Sequence, residues 1–213
     1  MGLRRQVLFV GDSITEGTGS TANTGGFRSS LLSMRLTNGM PWRTGGSTTV
    51  GLYSGENRWV GGSGLRIDQI NPLLLRDGAQ WQYDTVVAHV GTNDCTQRNS
   101  TGLPTLATSQ ASLTTFLDTI RSQQPNARVF FALIIPNTNA GADAQIVAEN
   151  AAFVTQIAAR ADAAFITTVD MYASFTANAA WATEWMADTT HPNNYGYARM
   201  TDTWSAALTA AGW

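Results

Sequence analysis

The chain is short of residues that many protein chemistries need. It has one cysteine, Cys95, in 213 residues. That excludes an intrachain disulfide and any multi-cysteine metal site. Cys95 reads as a small packed side chain, and its neighbour Asp94 disfavours a low thiol pKa. Charged residues make up only 13% of the chain and the formal net charge is −2, against about a quarter charged in an ordinary domain. All 13 positive residues are arginine; lysine is missing altogether. A weakly charged chain rich in Thr, Ser, Asn, Gln and Gly offers no basic field for phosphate, so nucleic acid is not an expected partner. No run approaches the roughly 18 apolar residues of a membrane span. No acidic residue occurs between Glu16 and Glu56. The stretch Gly17-Thr18-Gly19-Ser20-Thr21-Ala22 spells a dinucleotide fingerprint, but the acid that should hold a ribose about 20 positions on is missing. There is no Pro/Ser linker, charge block or internal repeat, so residues 1–213 are expected to form one domain.

What is present is a hydrophobic content of 43%, arranged in alternating patterns. Strand-like runs are Val7–Val10, Thr85–Val90, Val129–Ile135 and Ala164–Val169, three of them ending at Gly11, Gly91 or Pro136. A further strand is expected within Trp42–Tyr53, where glycines blur the pattern. Continuous apolar runs of this kind mark strands buried on both faces of a parallel sheet. Helical spacing places Phe27, Leu31, Leu32 and Leu36 on one face of Phe27–Leu36, and Ile67, Ile70 and Leu74 on one face of Leu65–Leu75. Thr105–Gln123 carries Leu106, Leu113, Leu117 and Ile120. Asp143–Ala161 carries Ile146, Val147, Phe153, Val154 and Ile157, and Tyr195–Ala211 carries Tyr195, Met200, Trp204 and Leu208. The reading is an α/β fold, a five-stranded parallel sheet between two layers of helices. The apolar stretch after Met1–Arg5 is too short for a signal h-region. The composition points to a secreted enzyme whose leader is absent from this chain, with a cytoplasmic protein as the alternative.

Gly11-Asp12-Ser13-Ile14-Thr15 follows the first strand directly, so Ser13 stands at the carboxyl end of that strand, where open α/β sheets collect their chemistry. A serine nucleophile needs a base, a group that orients the base, and donors for an oxyanion. Two histidines are available. His89 lies inside a strand and reads as a core residue with a satisfied hydrogen bond. His191 lies in the polar stretch Asp188-Thr189-Thr190-His191-Pro192-Asn193, with Asn193 or Asn194 as N-cap of the last helix. Asp188, three residues before His191, can reach one imidazole nitrogen in a tight turn and leave the other free; the plainer alternative is that both cap a surface turn. Gly91-Thr92-Asn93-Asp94 follows the Thr85–Val90 strand as Ser13 follows the first, and the Asn93 amide can donate there; it could equally be an ordinary turn. Val60-Gly61-Gly62-Ser63-Gly64-Leu65-Arg66 opens a helix, where a glycine N–H is an anion donor or the segment is merely a loop.

Taken together these four blocks, Gly11-Asp12-Ser13-Ile14, Ser63-Gly64, Gly91-Thr92-Asn93-Asp94 and Asp188-Thr189-Thr190-His191-Pro192, resemble the GDSL/SGNH hydrolase family. The resemblance implies a flavodoxin-like α/β/α sandwich and a serine esterase. It implies Ser13, Asp188 and His191 as the catalytic residues, and Ser13, Gly64 and Asn93 as the oxyanion hole, with Gly61 and Gly62 as alternatives to Gly64. Gly64-Leu65-Arg66-Ile67-Asp68-Gln69-Ile70 is most similar to small carbohydrate esterases, acetylxylan esterases among them. The expected substrate is then a short-chain acetyl ester of a small molecule or polysaccharide, hydrolysed by a monomer that needs no cofactor and no metal. The alternatives are a lipase, thioesterase or lysophospholipase of the same family, or a non-catalytic carbohydrate-binding protein that stacks sugars on Trp59, Trp181 or Trp185.

Overall fold

In the computed structural model, which describes residues 5–21, 25–37, 42–45, 48–49 and 58–213, the strongest apolar runs are strands. β1 spans Gln6–Gly11, β2 Arg43–Gly45, β3 Thr48–Thr49, β4 Arg58–Gly61, β5 Thr85–His89, β6 Arg128–Ala132 and β7 Ile166–Val169. The order β4-β1-β5-β6-β7 makes five parallel strands, with β3 added antiparallel at the β4 edge. β2 also pairs parallel to β1, Gln6–Leu8 against Arg43–Gly45, while Val10 and Gly11 pair with Val60 and Gly61. Two short segments thus share the place beside β1 where the sequence suggests one strand. β2 and β3 fall inside the expected Trp42–Tyr53 window, residues 46–47 and 50–53 of it lie outside the described residues, and β4 lies beyond it.

The helices are α1 (Ser13–Glu16), α2 (Gly26–Thr37), α3 (Ile67–Asp77), α4 (Thr92–Thr101), α5 (Leu106–Gln123), α6 (Ala140–Ala158), α7 (Met171–Thr176), α8 (Trp181–Glu184) and α9 (Asn194–Ala210). Side chains alternate across a strand, and that sorts the core into two layers. Leu8, Val10, Val86, Ala88 and Phe131 pack towards α3, α5 and α6. Val7, Phe9, Val87 and Phe130 pack towards α2, α7 and α9. Each such fully buried Val, Leu or Phe side chain contributes about 1.5–3 kcal/mol. On α6, Ile146, Phe153 and Ile157 are buried, but Val147 and Val154 stand half in solvent, one position off the core-facing row. Tyr195, expected on the apolar face of α9, is 74% exposed: the buried face of this helix is made by Gly196, Tyr197, Met200, Trp204 and Leu208, and Tyr195 falls beside it. The side chain of Leu36 lies outside the described residues. No described helix is long and apolar enough to cross a membrane.

This topology fixes the place of the chemistry. The chain leaves β1 towards one side of the sheet and crosses to the other side at β5. Ligands of open α/β sheets bind outside the carboxyl ends of the strands at such a reversal. Ser13 follows β1 and Asn93 follows β5.

Candidate active site

Ser13 opens the one-turn helix α1. Asp12 caps it, its Oδ1 accepting the Ile14 N–H at 3.0 Å. The Asp12 carboxyl is fully buried, and burial pushes it up to about 6 against the Ile14 N–H bond. The other end of α1 is held by Arg28 of α2, whose Nε donates to the Thr15 carbonyl at 2.6 Å and whose Nη2 donates to that of Glu16 at 3.3 Å. Arg28 is itself buried over the Trp59 ring, 5.1 Å from its centroid, and burial lowers its guanidinium to about 9. Nothing in the sequence marks Arg28: it sits among the apolar residues of a helix as one polar position.

The residues 186–192 form a tight loop. Met186 and Pro192 make an isolated antiparallel bridge, and the Ala187 N–H donates to the His191 carbonyl at 2.8 Å. Inside it, Asp188 Oδ1 accepts the backbone N–H groups of Thr190 and His191, both at 2.7 Å, and Oδ2 lies 2.8 Å from His191 Nδ1. Burial works against ionisation of Asp188, but those two N–H donors and the imidazole outweigh it and hold the carboxyl below its ordinary range. A carboxylate can only accept, so Nδ1 carries the proton and Nε2 presents a lone pair. That lone pair meets Ser13 Oγ at 2.8 Å, 178 residues away in sequence. Asn137 and Thr138 brace the loop from outside, Asn137 Nδ2 donating to Thr190 Oγ1 at 3.1 Å and Thr138 N–H to the Thr189 carbonyl at 3.0 Å. Asn193, of the two candidates, is the N-cap of α9.

The structure therefore brings Ser13, His191 and Asp188 into one hydrogen-bonded line. Asn93 stands in the first turn of α4, which starts where the sequence pattern shows only a turn: Gly91 adopts φ +103° and the helix runs on to Thr101. Its Nδ2 donates to the Leu65 carbonyl at 3.0 Å. An amide nitrogen has two hydrogens; this bond orients the side chain and leaves the second for a ligand. Of the three glycines, Gly61 belongs to β4, and a Cβ there would run into the Gly11 carbonyl oxygen. The Gly62 N–H donates to that same oxygen at 3.3 Å. Gly64 is exposed at φ +76°, and among the described residues neither its N–H nor that of Ser13 has a partner. These two backbone donors and the second hydrogen of the Asn93 amide are candidates to receive a negative oxygen.

His89 is a core residue as expected, but the expected hydrogen bond is missing: among the described residues neither ring nitrogen has a partner. Burial lowers its pKa to about 4, so the ring is neutral. Cys95 is buried, and burial raises its thiol. Trp59 is 1% exposed beneath Arg28 and cannot stack on a sugar, and Trp181 and Trp185 pack partly against the core. Asp94, next to Asn93, is buried. Burial pushes it up to about 6 against the bonds from the Ile67 N–H and the Ser109 hydroxyl.

Residues 9–199 match the family model of GDSL-like lipases/acylhydrolases. No curated protein matches the sequence. Solved structures do match. A carbohydrate esterase family 3 protein from Talaromyces cellulolyticus is 21% identical, with 97% of each chain covered and a TM-score of 0.78. A family 3 carbohydrate esterase from Clostridium thermocellum is 22% identical over 95% of this chain and 94% of that one, with a TM-score of 0.73. An acetylxylan esterase from Geobacillus stearothermophilus is 15% identical over 96% and 94%, with a TM-score of 0.74. At these identities the likeness is one of fold.

Proposed function

The chain belongs to the GDSL-like lipase/acylhydrolase family and is a carboxylic ester hydrolase, and from that premise we propose that it is a serine esterase that removes short acyl groups, acetyl first, from carbohydrate esters through an acyl-enzyme. Ser13 is the nucleophile, His191 the general base and acid, and Asp188 the group that fixes the imidazole. The carrying observation is the unbroken line of 2.8 Å contacts from Ser13 Oγ through the two His191 nitrogens to Asp188.

The steps follow from that line. Ser13 Oγ attacks the ester carbonyl carbon while its proton passes to His191 Nε2. The carbonyl oxygen becomes an oxyanion facing the N–H groups of Ser13 and Gly64 and the free Asn93 amide hydrogen. The imidazolium, stabilised by Asp188, returns its proton to the departing alcohol oxygen and the C–O bond breaks. Water then attacks the acyl-serine, losing a proton to the same nitrogen, and the acid leaves as Ser13 is restored.

Support for the acetyl and carbohydrate part comes from the solved structures that share the fold, carbohydrate esterases and an acetylxylan esterase among them. The test is a rate series on acetyl, butyryl and octanoyl esters of one alcohol, with an acetylated xylo-oligosaccharide alongside. Highest kcat/KM on acetyl and turnover of the sugar ester support the reading. A maximum at eight carbons assigns the chain to the lipase or thioesterase kind instead.

A further inference from the structure

We propose that one face of α4 is a clamp for the oxyanion loop, with Asp94 and Gln97 as positioning residues for the hydrolysis; the inference rests on the serine-esterase reading above. Residues 62–66 link β4 to α3 without regular structure. They hold Gly62, Ser63 and Gly64, and such a stretch has the largest conformational freedom to lose. Yet a donor for an oxyanion must be held to within a fraction of an ångström. Misplacement by about 1 Å can cost about 10²-fold in rate.

Four consecutive residues, the last three of this segment and the first of α3, are each tied to α4. Gln97 Nε2 donates to the Gly64 carbonyl at 3.3 Å. Asn93 Nδ2 donates to the Leu65 carbonyl at 3.0 Å. Arg66 Nη1 donates to Gln97 Oε1 at 2.7 Å. The Ile67 N–H donates to Asp94 Oδ2 at 3.0 Å. Asn93 and Gln97 are one helical turn apart, so they address the loop from one side, and Asp94 takes the first N–H of α3 beside them. The loop is thus held through the Gly64 and Leu65 carbonyls, the Arg66 guanidinium and the first N–H of α3, and among the described residues the Gly64 N–H has no partner.

Asp94 is in turn held from behind. Its Oδ1 accepts the Ser109 hydroxyl at 3.2 Å, and Arg98 Nη2 donates to Ser109 Oγ at 2.7 Å and to Glu149 Oε2 at 2.6 Å. The Arg98 and Glu149 side chains are 9% and 0% exposed. A buried ion pair is a poor source of stability compared with apolar residues of the same volume. What it supplies here is direction: a fixed chain from α6 through α4 and α5 to the carboxylate that grips α3.

The test uses Gln97→Ala, Asp94→Ala and Asp94→Asn, each with kcat and KM on 4-nitrophenyl acetate, thermal unfolding, and hydrogen exchange at the Ile67 amide. Because the loop donors act on charge that develops in the transition state, the loss falls on kcat. Asp94→Ala is expected to lower kcat about 10- to 100-fold with KM within about twofold, and to speed Ile67 exchange. Asp94→Asn, whose amide oxygen still accepts the Ile67 N–H, restores most of the rate. Gln97→Ala, at a partly exposed position, is expected to lower kcat about threefold or more with KM held, and carries the test if Asp94→Ala does not fold. In combination with Asn93→Ala the Asp94→Ala loss does not multiply, since both act on one loop. Wild-type kcat in Asp94→Ala and Gln97→Ala, or full multiplication with Asn93→Ala, overturns the clamp. Undiminished turnover in Ser13→Ala overturns the serine-esterase reading itself, and the clamp's catalytic purpose with it. Faster Ile67 exchange with unchanged kcat overturns the clamp alone.

Discussion

Replacing His89 by leucine separates the two histidines of the chain by opposite outcomes. His89 is wholly buried in β5 and, among the described residues, its ring nitrogens have no partner. Removing an unpaired buried polar group in favour of an apolar one of similar size is neutral or stabilising by about 1–2 kcal/mol. At pH 7 the variant is therefore as stable as the wild type or more so. In acid the difference grows. The ring titrates at 6.5 in the unfolded chain and at about 4 in the fold, because burial penalises the charged form. Between those values the unfolded state binds more protons than the native state. Wild-type stability attributable to this ring is present above pH 6.5 and is lost as pH falls towards about 4. At about 1.4 kcal/mol per tenfold change in proton activity, the loss is on the order of 3 kcal/mol. The buried carboxyls of Asp12 and Asp94, both pushed up to about 6, work with the opposite sign. They are present in both proteins and cancel in the difference. Urea unfolding of wild type and His89→Leu at pH 7, 5.5 and 4.5 reads the effect, with esterase activity at pH 7 alongside. The expected result is a stability gap that widens in acid, with activity retained. Parallel stability curves, or loss of activity in His89→Leu, refute the assignment of His89 to the core and of the base to His191.

Asn93→Ala removes one oxyanion donor and is expected to lower kcat by about 10²–10³, with an unchanged far-UV spectrum; kcat within twofold of wild type removes Asn93 from the site. Asp188→Asn keeps the shape of the loop but loses the acceptor that fixes the imidazole, with a fall in kcat on the order of 10²–10⁴ in steady-state assays. Arg28→Leu strips the Thr15 and Glu16 carbonyls of their charged donor and lowers unfolding free energy by about 3 kcal/mol in urea titrations.

The elements that were legible in the sequence are those whose pattern is made by burial. β1, β5 and β6 are apolar runs because both faces of the sheet are covered, and α3, α5 and α9 show the spacing of a one-sided helix. α4 was not legible, since Thr92–Thr101 has no apolar row beyond Cys95 and reads as a polar turn. Its helical form comes from tertiary ties, among them Asp94 and Arg98, that no local pattern displays. The paired strand beside β1 was blurred because it is split between β2 and β4. At the site, Ser13, Asn93, Asp188 and His191 could be picked out because each stands at a breaker that follows a strand or precedes a helix. The choice among Gly61, Gly62 and Gly64 could not be made from residue types, since it turns on which N–H the Gly11 carbonyl already occupies. Arg28 and Gln97 act through hydrogen bonds to segments outside their own helices, which leave no trace in spacing.

The claim on which the rest depends is that Ser13 becomes covalently acylated. Brief incubation with 4-nitrophenyl acetate, an acid quench, and peptide mapping by mass spectrometry test it directly. The account predicts one acetyl group on the peptide that contains Ser13, together with loss of turnover in Ser13→Ala. An unmodified Ser13 peptide, with turnover persisting in Ser13→Ala, contradicts it.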